Sequence, residues 1–297
     1  MFEADLLIDR QRLKRRLNFW RVLAVLAVVA AICAAAVPGW KAGGRHVARV
    51  NVTGIITENR KLRDAVLALA KDRSVPAVIV AVDSPGGSVA GGESLHAALV
   101  QVAAAKPLVT VMRGTAASAG YMVSLPAERI FAREATLTGS IGVILQTAEF
   151  SGLLARLGVD PEAITSGPLK DQPSFTRPLT PQGREYLNGL VHDMYDQFVT
   201  MVATARHMDA DTVRKLADGR AYTGRQAKAL GLVDEIGGET EARAWLAKQH
   251  GVAESIPVRD IEPGSLYERT FGAAVTGLRS LLLGEVSAGA WAIWTGS

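Results

Sequence analysis

The stretch LVTVMRGTAASAGY, residues 108–121, holds the central features of this sequence. Its apolar run Leu108–Met112 predicts a buried strand and a short helix-like segment follows, so Ser118 falls at a strand-to-helix junction. The small residues around it allow another backbone to approach closely. A serine in this position is either a tight-packing residue or a nucleophile, and the local residues alone leave both interpretations open.

Apolar runs and helical patterns alternate before this stretch. They predict, in order, a strand, one helix face, a strand and a second helix: Val47–Val52, then Leu62, Val66 and Leu69, then Ala77–Val82, then Gly91–Ala104. With the Leu108–Met112 strand, this order implies right-handed parallel crossovers and helices that cover the sheet. The predicted fold class is α/β.

Composition is that of an ordinary globular protein, with 48% hydrophobic and 21% charged residues among 297. The net charge is +4, but residues 1–21 carry six basic and three acidic side chains and so contribute +3 of it. The remainder is close to neutral, which argues against a nucleic-acid-binding protein. Cys33 is the only cysteine and no Cys/His cluster has zinc spacing, so we expect neither a metal nor a cofactor.

An uninterrupted apolar run, Val22–Val37, lies near the N-terminus. The 22 residues of 19–40 would form a helix of about 33 Å, enough to span a bilayer core of about 30 Å. More basic residues precede the run than follow it, so the positive-inside rule puts the N-terminus in the cytoplasm and the body outside, in a periplasmic or extracytoplasmic location. The alternative is a cleaved signal peptide with a site at Ala34–Ala36.

The chain therefore divides into five predicted parts. They are a basic cytoplasmic N-terminus (1–18), a transmembrane anchor (19–40), a linker (41–46), the α/β domain (47–260) and an apolar C-terminal tail (261–297). Within the domain, Thr180 and Pro181 predict the start of a long helix whose apolar stripe is core or subunit interface. Thr223 predicts the start of a shorter helix.

In α/β sheets, functional loops gather at the carboxyl ends of the strands. The loop DSPGGS, Asp83–Ser88, directly follows the Ala77–Val82 strand. Its glycine pair can present backbone N–H groups to an oxyanion, because no Cβ is in the way. The alternative is an ordinary tight turn.

A nucleophilic serine needs a base, and none of the five histidines is well placed in sequence. All are expected on the surface or in helix packing: His46, His96, His192, His207 and His250. The remaining candidate is Lys170, in the loop SGPLKDQP. A lysine acts as a base only when it is neutral, which burial favours. Lys170 is either that base or a solvated loop lysine beside Asp171.

Five motifs taken together resemble the signal peptide peptidase A family, serine peptidases related to the Clp protease and crotonase folds. They are DSPGGS, GTAASAGY, LTGSIGV, SGPLKDQPSFTRPLT and RAYTGRQAKALGLVDEIGG, within Val47–Gly238. The resemblance implies a Clp protease/crotonase-like fold with parallel-rich sheets. By position it implies these roles: Ser118 as nucleophile, Lys170 as general base, Ser140 as the residue that orients the lysine, and Gly86, Gly87 and Ala119 as oxyanion-binding residues. One departure is Ala119-Gly120, where many relatives have two glycines.

The resemblance also implies a function. It is that of a membrane-anchored Ser-Lys endopeptidase that degrades cleaved signal peptides and other apolar segments at the outer face of the cytoplasmic membrane. It further implies a homo-oligomer, with Ser118 and Lys170 contributed by adjacent subunits. The rival functions are an inactive membrane scaffold and a crotonase-like acyl-CoA enzyme. The tail from Pro263 is expected to contact the membrane surface, pack in the oligomer or reach the peptidase groove.

Overall fold

The computed structural model describes residues 14–27 and 44–261 of the chain. The described residues belong to two units, one that includes residues 14–27 and one that includes residues 45–261. Residues 14–27 are helical (α1). Within the described ranges, no helix combines the length and the apolar character needed to cross a membrane. Residues 28–40 of the predicted anchor and residues 262–297 of the predicted tail lie outside the described residues.

The second unit is built on one sheet. Its strands are β1 (Val47–Ile56), β2 (Val78–Gly87), β3 (Leu108–Ala117), β4 (Arg129–Ala132), β5 (Leu137–Gly139), β6 (Ala221–Thr223), β7 (Glu235–Ile236) and β8 (Val258–Asp260). They are ordered β6-β5-β3-β2-β1-β8, with β4 pairing with both β3 and β7. Every pairing is parallel except that of β5 with β6. The α/β class with a parallel-rich sheet is confirmed.

Helices connect and cover these strands. They are α2 (Arg60–Leu69), α3 (Val89–Ala103), α4 (Ala119–Met122), α5 (Ser151–Arg156), α6 (Pro181–Arg206), α7 (Ala210–Leu216), α8 (Gly224–Ala229) and α9 (Glu239–His250). The predicted helix starts are confirmed. Thr180 caps α6 by accepting a hydrogen bond from the Gly183 N–H, and Thr223 caps α8 in a capping box with Gln226.

The core lies on both faces of the sheet, because alternate residues of a strand point to opposite sides. In β2, Val78, Val80 and Val82 pack into the larger cluster, under α2, α3, α4 and α6, whereas Ile79 packs into a smaller cluster with α9. A strand buried on both faces is apolar without interruption, as the sequence of β2 is.

Three predicted strand ends were wrong. The strand β1 continues four residues beyond Val52, to Ile56. The strands β2 and β3 each continue five residues beyond the apolar run, through Gly87 and Ala117. The β1–β2 pairing extends to Ile56 and Gly87, and the β2–β3 pairing extends to Ser84 and Ala116. Each extension follows a register shift in the pairing. The PGG segment is therefore strand and not a tight turn, because backbone pairing of Gly86 and Gly87 with β1 outweighs the turn propensity of the segment.

Candidate active site

Ser118 links β3 to α4 with a backbone conformation that is rare for a residue with a side chain. Its φ is 54° and its ψ is −121°. A non-glycine residue in such a region costs roughly 1–3 kcal/mol and persists only where the surrounding structure holds it. Two backbone hydrogen bonds do so here, from the Ser118 N–H to the Gly139 oxygen (2.9 Å) and from the Met122 N–H to the Ser118 oxygen (3.0 Å).

The strand β2 runs directly beside this junction. A Cβ placed on Gly86 would lie 2.8 Å from the Ser118 Cβ, and one placed on Gly120 would lie 2.9 Å from the Ser84 oxygen. Both positions accept only glycine without movement of the backbone. The small residues seen in the sequence therefore serve tight packing, and this packing is also what holds Ser118 at the end of β3.

The Ser118 side chain is half-buried, and its hydroxyl makes no hydrogen bond within the described part of the chain. It faces a cavity of about 540 Å³ that Ser140 and Gly87 also line. The other walls are mostly apolar: Pro85, Val89, Gly142, Val143, Ile144, Val191, Tyr195, Ala217 and Gly219, with the polar His192 and Asp218. A free hydroxyl is thus presented to a cavity that can accept an apolar chain.

Ser140 reaches the same cavity from the neighbouring strand β5. It too has a positive φ, of 49°, and its N–H donates to the Arg220 oxygen at 2.9 Å. Because Gly139 holds the Ser118 N–H and Ser140 is the next residue, the two serines are connected through one peptide unit.

The oxyanion candidates differ in what their N–H groups do. The Gly86 N–H is buried and donates to the Ser84 hydroxyl at 3.1 Å, so this donor is already used. Gly87 is exposed and lines the cavity. Ala119 is the first residue of α4, where backbone N–H groups have no partner inside the helix, and its φ is not positive. Gly87 and Ala119 are the better-placed pair of donors.

Lys170 lies apart from this cavity in the single chain. Its side chain is exposed, is absent from the cavity lining given above, and makes no ion pair or hydrogen bond among the described residues. The expected partner, Asp171, is instead paired with Arg177 at 2.5 Å. The structure therefore brings Ser118, Ser140 and Gly87 together but does not bring Lys170 to them.

Sequence reasoning missed two polar residues of the cavity, His192 and Asp218. His192 was predicted to belong to helix packing or the surface, and it is an exposed residue of α6, but it also lines the cavity. Helical spacing could have indicated this, because Val191 and Tyr195, one turn apart, line the cavity as well. By contrast, His96 is a packed residue of α3, and burial lowers its pKa to about 4.

Comparisons with known proteins agree on a family. Residues 100–253 match the sequence model of Peptidase family S49, and residues 50–141 match that of Clp protease. A candidate protease of Synechocystis sp., slr0021, is 38% identical over 231 residues, which cover 77% of this chain and 83% of that protein.

Two further relatives carry more specific names. A candidate signal peptide peptidase SppA of Enterococcus faecium is 33% identical over 228 residues, covering 72% of this chain and 66% of that protein. Protease 4 of Salmonella typhi is 40% identical over 201 residues, covering 67% of this chain but 31% of that protein. The family model matches about half of the chain, and these relatives are at least 33% identical to it over two thirds or more of its length. Together with the Clp protease-like α/β fold, this shows that the chain belongs to peptidase family S49.

Proposed function

We propose that the chain is a membrane-anchored serine endopeptidase with a Ser-Lys dyad. Ser118 is the nucleophile, Lys170 the general base and Ser140 the residue that orients the lysine. The backbone N–H groups of Gly87 and Ala119 bind the oxyanion. The observation that carries the proposal is the strained backbone of Ser118, which presents an unbonded hydroxyl to a cavity shared with Ser140 and Gly87.

The chemistry requires a proton acceptor beside Ser118. Neutral Lys170 takes the hydroxyl proton while the serine oxygen attacks the peptide carbonyl, and the proton then passes to the leaving amine. Backbone donors hold the negative charge that develops on the carbonyl oxygen. Water next attacks the acyl-enzyme, again with the lysine as base, and restores the free serine.

The exposed position of Lys170 supports a site shared between subunits. Burial favours the neutral form of a lysine, and one chain alone does not provide that burial. The segment between Ser140 and Lys170 also exposes large apolar side chains, among them Ile144 (80% exposed), Leu157 (68%) and Ile164 (96%). An apolar surface of this kind is typical of a subunit interface. In a homo-oligomer, Lys170 of one subunit would enter the cavity of the next.

The proposed substrates are cleaved signal peptides and other apolar peptide segments. The apolar walls of the Ser118 cavity suit such chains, and one relative is named as a signal peptide peptidase. The proposed anchor at residues 19–40 would hold the catalytic unit at the outer face of the cytoplasmic membrane, where such segments are released.

Hydrolysis of an apolar fluorogenic peptide by the full-length chain tests this proposal. Relative to wild type, Lys170→Ala is expected to lose at least about a hundredfold in kcat, the usual scale of general-base catalysis. Lys215→Ala, which removes an exposed lysine on α7, is the matched control and should keep full activity. Equal activity of Lys170→Ala and wild type would exclude Lys170 as the base. A wild-type chain that cleaves no peptide would favour the inactive scaffold.

A further inference from the structure

The helix that follows Ser118, α4, has only one turn, which cannot fix its own orientation. α4 contains four residues, and isolated helical turns are unstable because one hydrogen bond does not offset the ordering of a turn. Tertiary contacts must therefore set the direction in which Ser118 points. All four residues of α4 are buried, and Tyr121 is its one polar side chain.

Tyr121 is fully buried and makes a single hydrogen bond through its hydroxyl. The hydroxyl donates to the Leu232 oxygen at 2.9 Å, across 111 residues of sequence. Burial raises the pKa of the phenol, so the side chain remains a neutral donor. Tyr121 lies three residues after Ser118 and thus fastens the far end of the same turn.

The acceptor of this bond is itself held rigidly. On one side of Leu232, the Gly231 oxygen accepts from Arg206 Nε at 2.9 Å. On the other side, the Asp234 carboxylate accepts hydrogen bonds from both terminal nitrogens of Arg206, at 2.6 and 3.1 Å, and from the Ile130 N–H at 2.8 Å. Arg206 is the last residue of α6, the helix that lines the Ser118 cavity. Two hydrogen bonds, joined through the backbone of Gly231 and Leu232, therefore connect α6 to α4.

We infer that Tyr121 is a positioning residue for the nucleophile, with Arg206 acting through it. The Tyr121 bond to Leu232 fixes α4, and α4 in turn keeps Ser118 in its strained conformation at the cavity. This inference rests on the proposed function, because it concerns the reactivity of Ser118.

Tyr121→Phe in the full-length chain removes only the hydroxyl and keeps the ring in the core. We expect kcat for peptide hydrolysis to fall about tenfold, since small displacements of a reacting group cost one to two orders of magnitude, with KM changed less than about twofold. The rate at which a fluorophosphonate labels Ser118 should fall by the same factor. Val252→Ala in the smaller core cluster is the control for lost stability, and its labelling rate should match that of wild type.

Arg206→Lys supplies a second, independent variant. Lysine keeps the charge but cannot make the bonds to both Gly231 and Asp234, so labelling should slow about threefold. If Arg206 acts through Tyr121, the double variant should label no more slowly than Tyr121→Phe alone.

Labelling of Tyr121→Phe at the wild-type rate overturns this inference alone. Equal slowing of Ser118 labelling in Tyr121→Phe and Val252→Ala, at matched loss of thermal stability, also overturns it. Additive effects of Tyr121→Phe and Arg206→Lys on the labelling rate do the same. A wild-type chain that is not labelled at Ser118 overturns the proposed function, and the inference with it.

Discussion

The backbone N–H of Ser118 donates to the carbonyl oxygen of Gly139 at 2.9 Å, which joins the ends of β3 and β5. Ser118 and Ser140, the residue that follows Gly139, both have positive φ values, 54° and 49°. Each of these conformations costs about 1–3 kcal/mol, so the surrounding structure must hold both serines in place.

Two inactive variants, each lacking one residue of the Ser-Lys dyad, should regain peptidase activity when they assemble into mixed oligomers. Ser118→Ala and Lys170→Ala are each expected to be inactive alone. When they are co-expressed with different tags and purified as mixed oligomers, roughly a quarter of the sites should pair an intact serine with an intact lysine, if the interface is head-to-tail. The measurement is peptide hydrolysis per site. Mixed oligomers as inactive as either parent would mean that both residues act within one chain.

Two substitutions at Ser140 separate its hydroxyl from its backbone strain. Ser140→Ala and Ser140→Gly both remove the hydroxyl, so both should lower kcat about tenfold or more if it orients the lysine. Glycine tolerates positive φ, so Ser140→Gly should be as stable as wild type or up to about 1 kcal/mol more stable. Thermal unfolding and kcat are measured for each. Wild-type kcat in either variant would remove Ser140 from the mechanism.

Gly120→Ala should disrupt the contact between α4 and β2. The new Cβ would lie 2.9 Å from the backbone oxygen of Ser84, so one of the two segments has to move. We expect a loss of about 1–3 kcal/mol in the free energy of unfolding, as in other overpacked sites, together with slower labelling of Ser118. Gly189→Ala is the control, because its Cβ meets nothing within 4 Å in α6 and alanine favours helix. Equal stability of the two variants would contradict this account.

The edge strand β8 should make a small, pH-dependent contribution to stability. The hydrogen bonds from Arg49 (2.6 Å) and Asn51 (2.7 Å) lower the pKa of Asp260 from 3.8 to about 2. This stabilisation is complete above the unfolded pKa of about 4 and is lost as pH falls towards 2. The pair is exposed, so Asp260→Asn should cost less than about 1 kcal/mol at pH 7.

Urea unfolding of both chains at pH 7 and pH 3 measures this effect. The stability difference between wild type and Asp260→Asn should shrink at the lower pH, because below about pH 4 the unfolded wild-type chain takes up a proton at Asp260 while the folded chain, with its lower pKa, still holds the carboxylate mostly ionised. A difference that stays constant or grows at pH 3 would show that the charge of Asp260 does not hold β8 in place.

Much of the fold followed from local patterns in the sequence. The apolar runs of β2 and β3, the caps at Thr180 and Thr223 and the junction at Ser118 were all predicted, because strand burial and helix capping depend on residues close together in the chain. The family resemblance rests on motifs of the same local kind. The local patterns did not predict conformations that depend on strand pairing, such as the extended conformation of the PGG segment.

The sequence by itself determined the α/β class, the family and the place of Ser118 at the end of a strand. Only the tertiary structure decided that the Gly86 N–H is used by Ser84, that Tyr121 binds Leu232, and that Lys170 lies away from the cavity in one chain. The physical reason is that these contacts join residues whose distance in space depends on strand register and helix packing. Hydrogen bonds act over about 3 Å, and no local pattern records which distant groups reach that distance.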